Sequence, residues 1–132
     1  MKSVARTESV LIVDDQQPMR LLLSGILRGL EFQNVRQVAS GRRALEVVRV
    51  ERPDIVFLDL MMPDMHGLDV LSELRALDHG DQIFVIIQTG SATKENVERA
   101  VELGVGAILV KPYKVVQIKK VLGKYLKPSQ SP

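Results

Sequence analysis

Five polar side chains come at or just after the ends of apolar runs that have the composition of buried strands. They are Asp14, Asp15, Asp59, Thr89 and Lys111, and the runs cover residues 10–13, 55–58, 83–87 and 107–110. A carboxylate at the mouth of a hydrophobic sheet is poorly solvated, so its charge must be balanced by a cation. Asp59 is followed directly by a loop that contains Pro63 and Gly67.

Three carboxylates in one cleft would repel one another. A pair of like charges about 4 Å apart costs roughly 1 kcal/mol in water and roughly 4 kcal/mol at an effective dielectric constant of about 20. Lys111 supplies one positive charge, and a bound divalent cation would supply the remainder. Because the candidate ligands are all oxygen atoms, Mg²⁺ or Mn²⁺ is favoured over Zn²⁺.

An arrangement of carboxylates, a cation and a hydroxyl is suited to the transfer of a phosphoryl group. Asp59 could attack phosphorus as a covalent nucleophile. The metal would be held by Asp15 and Asp59, with Asp14 acting directly or through water. Lys111 would pair with one phosphoryl oxygen and the Thr89 hydroxyl with another. Modification of Asp59 would then draw Thr89 inward, which is the behaviour of a switch.

The elements that must position these groups alternate along the chain. Continuous Val, Ile and Leu runs are typical of parallel strands buried on both faces. A weaker strand is predicted at 34–38. Helical periodicity predicts a first helix near Pro18, whose inward stripe would include Leu22, and further helices at 41–52, 68–77, 93–103 and 114–126. Five strand–helix units predict a flavodoxin-like, doubly wound α/β fold with a five-stranded parallel sheet in the order 2-1-3-4-5.

Composition narrows the class of protein. The chain has 132 residues, of which 45% are hydrophobic and 26% charged, so one globular domain is expected, over 8–127 with flexible tails at 1–7 and 128–132. No apolar stretch approaches a membrane span, and there is no Cys. We therefore expect a cytoplasmic protein without membrane insertion. Five Phe and Tyr residues, with no Trp, argue against a nucleic-acid stacking surface.

The motifs together resemble the response-regulator receiver domains of two-component systems, and most of all the stand-alone, chemotaxis-type members. They are Val13-Asp14-Asp15, the segment from Leu58 to Gly67, Thr89-Gly90 and Lys111-Pro112. An Asp-Asp pair alone is a weak signal. The four motifs in this order, each after an apolar run, make a specific one over residues 8–127.

The resemblance implies a role for each residue. Asp59 would accept phosphate from a phosphohistidine on a sensor histidine kinase or a histidine phosphotransfer protein. Asp14, Asp15, Asp59 and the backbone carbonyl of Met61 would bind Mg²⁺, Thr89 would be the switch hydroxyl, and Lys111 would pair with the phosphate. A cis Lys111–Pro112 peptide is also implied.

Output would then pass to a downstream protein through the face made by the fourth helix, the fifth strand and the fifth helix. The protein would be a monomer or a phosphorylation-dependent dimer. It would catalyse its own phosphorylation and dephosphorylation, without being an enzyme for an external metabolite.

One position departs from the family pattern. Members commonly have Tyr or Phe three residues before the lysine, and this chain has Ile108. The chemistry at Asp59 should survive the change, but an aliphatic side chain has no ring to rotate and no hydroxyl. Ile108 therefore favours an alternative: a docking or dimerisation module that does not signal through phosphate.

A second alternative is a phosphatase of the haloacid-dehalogenase type, which also uses an aspartyl nucleophile and Mg²⁺. That family expects another Asp two residues after the nucleophile. This position is Met61 in the chain, so the phosphatase is disfavoured.

Overall fold

The computed structural model describes residues 6–126, in which strands and helices alternate five times. The strands are β1 (Arg6–Val13), β2 (Phe32–Val38), β3 (Ile55–Asp59), β4 (Phe84–Thr89) and β5 (Ala107–Val110). The helices are α1 (Gln17–Gly29), α2 (Gly41–Glu51), α3 (Gly67–Arg75), α4 (Lys94–Glu102) and α5 (Val115–Leu126). A 3-10 turn at Gly80–Gln82 precedes β4.

The five strands form one parallel sheet in the order β2-β1-β3-β4-β5, which confirms the predicted topology. The register pairs Val13 with Leu58 and Asp59 with Gln88. The carboxyl ends of β1, β3 and β4 are therefore level, and the residues that follow them meet at one edge of the sheet.

Side chains alternate between the two faces of this sheet, and each face has its own apolar core. Leu11, Leu58 and Ile87 pack in the core under α2, α3 and α4. Ile12 and Phe57 pack in the core on the other face, with side chains from α1 and α5. β3 is buried along its whole length, as its continuous apolar run predicted.

Helix boundaries follow local chemistry. Pro18 lies in the first turn of α1, where its missing N–H costs no hydrogen bond. The Ser40 hydroxyl accepts a hydrogen bond from the N–H of Arg43 and caps α2. Beyond α4, Gly104 has φ +73, a conformation that glycine adopts without strain.

Some element ends differ by one or two residues from the predicted ones, as at β2 and α3, and two further details are of note. β1 begins at Arg6, inside the predicted tail 1–7, because the N–H of Arg6 bonds to the carbonyl of Glu31 and Arg6 pairs with Phe32. Leu22 is 56% exposed, so its place in the apolar stripe of α1 was wrong. Leu23 and Leu27, which belong to the same predicted stripe, are buried against the sheet. The remaining positions of the two predicted tails, 1–5 and 128–132, lie outside the described residues.

None of the helices within residues 6–126 is long and apolar enough to cross a bilayer.

Candidate functional site

Three acidic side chains converge at the carboxyl edge of the sheet. Asp14, Asp15 and Asp59 each offer a carboxylate oxygen, and the three oxygens lie within 4.8 Å of one another. Asp14 is fully buried and Asp59 is 5% exposed, whereas Asp15 is open to solvent. The structure thus brings together the three carboxylates that the sequence placed at the ends of two different strands.

Asp14 is the most firmly held of the three. Its Oδ1 accepts a hydrogen bond from the N–H of Gln16 at 2.9 Å. Its Oδ2 accepts from Nε2 of Gln88 at 3.2 Å and from Nζ of Lys111 at 3.1 Å. A buried carboxylate with three donors is fixed in orientation, so Asp14 forms the rigid back wall of the pocket.

Asp59 is held more loosely. Its Oδ1 accepts from the N–H of Met61 at 3.3 Å, and its Oδ2 from Nζ of Lys111 at 3.4 Å. Burial raises the pKa of Asp59 above its usual 3.8, the charge of Lys111 opposes that rise, and the charge of Asp14 adds to it. Ionised Asp59 is therefore a destabilised charge that has few protein partners.

Lys111 is the cation of the pocket. Its ammonium group lies between Asp14 and Asp59, and its side chain is 19% exposed. Its backbone N–H bonds to the carbonyl of Thr89 at 2.8 Å, which fixes the end of β5 against β4. The following Lys111–Pro112 peptide is cis, as predicted.

Thr89 lies at the same edge with only 1% of its surface exposed, but its hydroxyl does not bond to Asp59 in this structure. The hydroxyl accepts from the N–H of Ser91 at 3.0 Å and donates to the carbonyl of Ser91 at 3.3 Å. Both bonds are local to the turn after β4. The hydroxyl is therefore engaged by its own loop.

The loop between β3 and α3 is fixed at three points. Gly67 lies so close to the chain at the end of β3 that a Cβ there would stand 2.4 Å from the carbonyl oxygen of Asp59. The Asp64 carboxylate accepts from the N–H groups of Gly41 and Arg42 at the start of α2. Nδ1 of His66 accepts from the N–H of Leu68 and caps α3.

These bonds hold Met61 beside the pocket. Its N–H reaches Asp59, and it pairs with His66 across the loop. The capping contact of His66 was not predicted from the sequence.

Two further residues of the site were not found from the sequence. Gln88 is buried at the end of β4, and its Oε1 accepts from the hydroxyl of Tyr113 at 2.5 Å. Burial raises the pKa of Tyr113 to about 12, and the charges of Asp14 and Asp59 add to the rise. The sequence feature that could have indicated Gln88 is its place as a single polar residue between the apolar run of β4 and Thr89.

Ile108 borders a crevice between β4, β5 and α4 that is too narrow to admit a water molecule. Ile87, Thr89 and Val97 also line it. In this structure the crevice has no room for a large side chain to move into it.

A family model described as the response regulator receiver domain matches residues 10–123. The chain belongs to this family. As a receiver domain it is a phosphoacceptor signalling module of two-component and phosphorelay systems, and such domains interact with histidine kinases or phosphotransfer proteins. They are signalling switches rather than ordinary enzymes, and they typically bind Mg²⁺ at an acidic cluster.

Curated relatives resemble this receiver over most of their length. Sporulation initiation phosphotransferase F of Bacillus subtilis is 36% identical over 119 residues, which cover 90% of this chain and 94% of that protein. Chemotaxis protein CheY-3 of Vibrio cholerae is 34% identical over 115 residues, which cover 87% of this chain and 88% of that protein.

Solved structures confirm the receiver fold. A CheY-like receiver domain protein from Methanospirillum hungatei superimposes with a TM-score of 0.86 at 24% identity, covering 95% of this chain and 98% of that one. The receiver domain of the sensor histidine kinase PA1611 from Pseudomonas aeruginosa gives 0.82 at 25% identity, covering 92% and 98%. That structure has a magnesium ion coordinated in its active-site cleft.

Proposed function

We propose that Asp59 is the phosphoacceptor of this receiver and that it takes phosphate from a phosphohistidine. The observation that carries the proposal is the position of Lys111, whose ammonium group lies 3.4 Å from the Asp59 carboxylate and 3.1 Å from Asp14. A cation held between the nucleophile and a second buried acid is placed to receive a phosphoryl oxygen.

In this proposal an Asp59 oxygen attacks phosphorus as the P–N bond of the donor phosphohistidine breaks. The electron pair of that bond leaves with the imidazole nitrogen, and an acyl phosphate forms on Asp59. Lys111 exchanges its contact with Asp59 for a phosphoryl oxygen and keeps Asp14. Autodephosphorylation then requires water to attack the same phosphorus atom.

Asp15 and Asp59 would hold Mg²⁺ or Mn²⁺ directly, together with the backbone carbonyl of Met61. The donor set fits such an ion, because its ligands are oxygens and because exposed Asp15 is free to reorient. Asp14 has three donors already, which favours its contact with the ion through water. A bound dication supplies positive charge opposite the phosphoryl oxygens, and the magnesium in the PA1611 receiver supports this assignment.

Thr89 is the proposed switch residue. Its hydroxyl would leave Ser91 for a phosphoryl oxygen once Asp59 is modified, and the loop before α4 would follow it. Output would pass to a downstream protein through the face made by α4, β5 and α5. Exposed apolar side chains on this face support the proposal: Val101, Val110, Val115 and Val116. The cytoplasmic location remains a prediction.

The test is phosphorylation with acetyl phosphate and Mg²⁺, followed by intact-protein mass spectrometry. We expect one labile phosphoryl group on the wild type and on Asp69→Asn, a matched control with an exposed carboxylate on α3. We expect none on Asp59→Asn. Equal labelling of Asp59→Asn and the wild type would exclude Asp59 as the acceptor.

The docking module remains the second candidate, and the closed crevice beside Ile108 favours it. It predicts that Asp59→Asn supports the signalling output in cells as well as the wild type does. Loss of output in Asp59→Asn, with unchanged output in Asp69→Asn, would exclude it.

A further inference from the structure

Gln88 is an amide buried at the end of an otherwise apolar strand, with 1% of its surface exposed. Burying an amide is costly unless both ends of the group are hydrogen-bonded. Both ends are bonded in this fold: Nε2 donates to Asp14 and Oε1 accepts from Tyr113. Gln88 thus bridges the acidic pocket and the segment that enters α5.

The chemistry of the two partners fixes the direction of the bridge. An ionised Asp14 only accepts hydrogen bonds, so the NH₂ group of Gln88 must face it. The carbonyl oxygen of Gln88 then faces Tyr113, whose hydroxyl must donate. A tyrosine hydroxyl carries its proton at physiological pH, and burial, which raises the pKa of Tyr113 to about 12, favours this form further.

The bridge lies on the opposite face of the sheet from Ile108. Strand alternation puts Gln88 on the face of Ile86, which packs with residues of α1 and α5. Tyr113 packs against the same core. Ile108 instead packs in the core under α4.

We propose that Gln88 is a positioning residue that links Asp14 to Tyr113, so that filling the acidic pocket changes the conformation of the segment entering α5. The inference rests on the proposed function, since it takes the phosphorylated pocket as its input. The hydroxyl that position 108 lacks is supplied at position 113, by way of Gln88.

The physical reason is the shared oxygen of Asp14. Its Oδ2 serves both Gln88 and Lys111. When Lys111 contacts a phosphoryl oxygen as well as Asp14, or a dication is bound near Asp14, less of its positive charge is available to Oδ2, and the strength and direction of the Gln88 bond change with it. An amide with only 1% of its surface exposed cannot turn to water, so the change is passed to its other partner, Tyr113.

The chain contains two tyrosines, which makes the test direct. Tyrosine labelled with ¹³C at Cζ gives one resonance for Tyr113 and one for Tyr125, and Tyr113→Phe assigns them. Tyr125 is the internal control, because it packs edge-on against Phe84 at the far end of β4. Mg²⁺ and beryllofluoride fill the pocket, and the ¹⁹F signal of bound beryllofluoride reports occupancy separately in each variant.

In the wild type we expect the Tyr113 resonance to shift on filling and the Tyr125 resonance to stay. In Gln88→Met, which has a similar shape but no hydrogen-bonding group, we expect most of that shift to be lost at equal occupancy. A Tyr125 resonance at the same chemical shift as in the wild type shows that the variant is folded. A Tyr113 shift of full size in Gln88→Met would overturn the inference.

A second arm does not depend on a substitution in the strand. Hydrogen exchange over residues 113–118 should change on filling in the wild type and in Tyr125→Phe, and should not change in Tyr113→Phe. Equal changes in all three proteins would refute the link. If the wild type binds beryllofluoride but its Tyr113 resonance does not shift, the link is refuted and the proposed function is not. If the wild type does not bind beryllofluoride, both the link and the proposed function are refuted.

Discussion

The ammonium group of Lys111 lies 3.1 Å from Oδ2 of Asp14, a carboxylate with no exposed surface. The same nitrogen is 3.4 Å from Asp59. One cation thus offsets two buried acids, and the third acid of the cluster, Asp15, relies on solvent. This imbalance of charge governs how the pocket should respond to substitution, pH and metal.

Replacement of Lys111 by Met should destabilise the protein when Mg²⁺ is absent. Removing one partner of a buried ion pair leaves an uncompensated charge, and with partial access to solvent we expect a loss of about 2 kcal/mol in the free energy of unfolding. Urea denaturation measures it. Added Mg²⁺ should reduce the loss, because the dication neutralises the same carboxylates.

Lys114→Met is the matched control, since Lys114 is exposed three residues further along the chain. Equal midpoints for Lys111→Met and Lys114→Met would contradict the ion-pair account.

Replacement of Asp59 by Asn should stabilise the metal-free protein. Burial raises the pKa of Asp59 above 3.8, so the folded chain holds this proton more tightly than the unfolded chain does. The unfolding free energy of the wild type therefore falls as pH rises from 3.8 through the raised folded pKa. Above that pKa the cost of ionisation is fully present, and Asp59→Asn removes it.

The expected gain is on the order of 1 kcal/mol at neutral pH, from relief of the burial of a charged carboxylate and of its repulsion by Asp14. Denaturation of both proteins between pH 3 and pH 8 measures it. The gain should disappear below pH 3.8 and shrink in Mg²⁺; a gain that is independent of pH would show that Asp59 is not the group responsible.

Asp64 joins the loop after Asp59 to the start of α2, and its replacement by Ala should loosen that loop. Loss of a helix-capping acceptor costs about 1 kcal/mol. Burial alone would raise the pKa of Asp64, but the N–H groups of Arg42 and Gly41, with those of Asp64 and Met65, bring it below 3.8. The stabilisation should therefore be complete above pH 3.8 and should be lost as pH falls through the folded pKa.

Asp64→Asn is the informative companion, since an amide retains one of the two acceptor oxygens and should lose less stability than Asp64→Ala. Denaturation curves at several pH values distinguish them. If both variants match the wild type above pH 4, the contact with α2 contributes nothing.

Arg75 stabilises the end of the molecule opposite the acidic pocket. Its guanidinium donates to four carbonyl groups, those of Gly80, Ile83, Leu103 and Gly104. These bonds join the end of α3, the start of β4 and the turn before β5. Arg75→Met should lower the unfolding free energy by about 2 kcal/mol, because several partly buried carbonyls lose a charged donor.

Hydrogen exchange should then accelerate at 103–106 and stay unchanged near Asp59. Arg49→Met, at an exposed position on α2, is the control. A stability loss of the same size in Arg49→Met would show that the four carbonyl contacts are not its cause.

The sequence by itself determined the sheet and the meeting of Asp14, Asp15 and Asp59. Buried parallel strands are encoded as contiguous apolar runs, and the order of strands brings their carboxyl ends to one edge. Asp59 is the last residue of its strand, and Asp14 and Asp15 come directly after theirs. The positions of these acids therefore do not depend on the conformation of a loop. Lys111 was placed by the same reasoning, at the end of β5.

Only the tertiary structure decided which hydrogen bonds the edge residues make. The Thr89 hydroxyl turned to Ser91, and Gln88 connected Asp14 to Tyr113. Leu22 faced solvent because the phase of α1 is set by its packing on the sheet. The bonds from Gln88 and Lys111 to Asp14 join residues 74 and 97 positions apart. All of these contacts depend on side-chain directions that no local sequence pattern records.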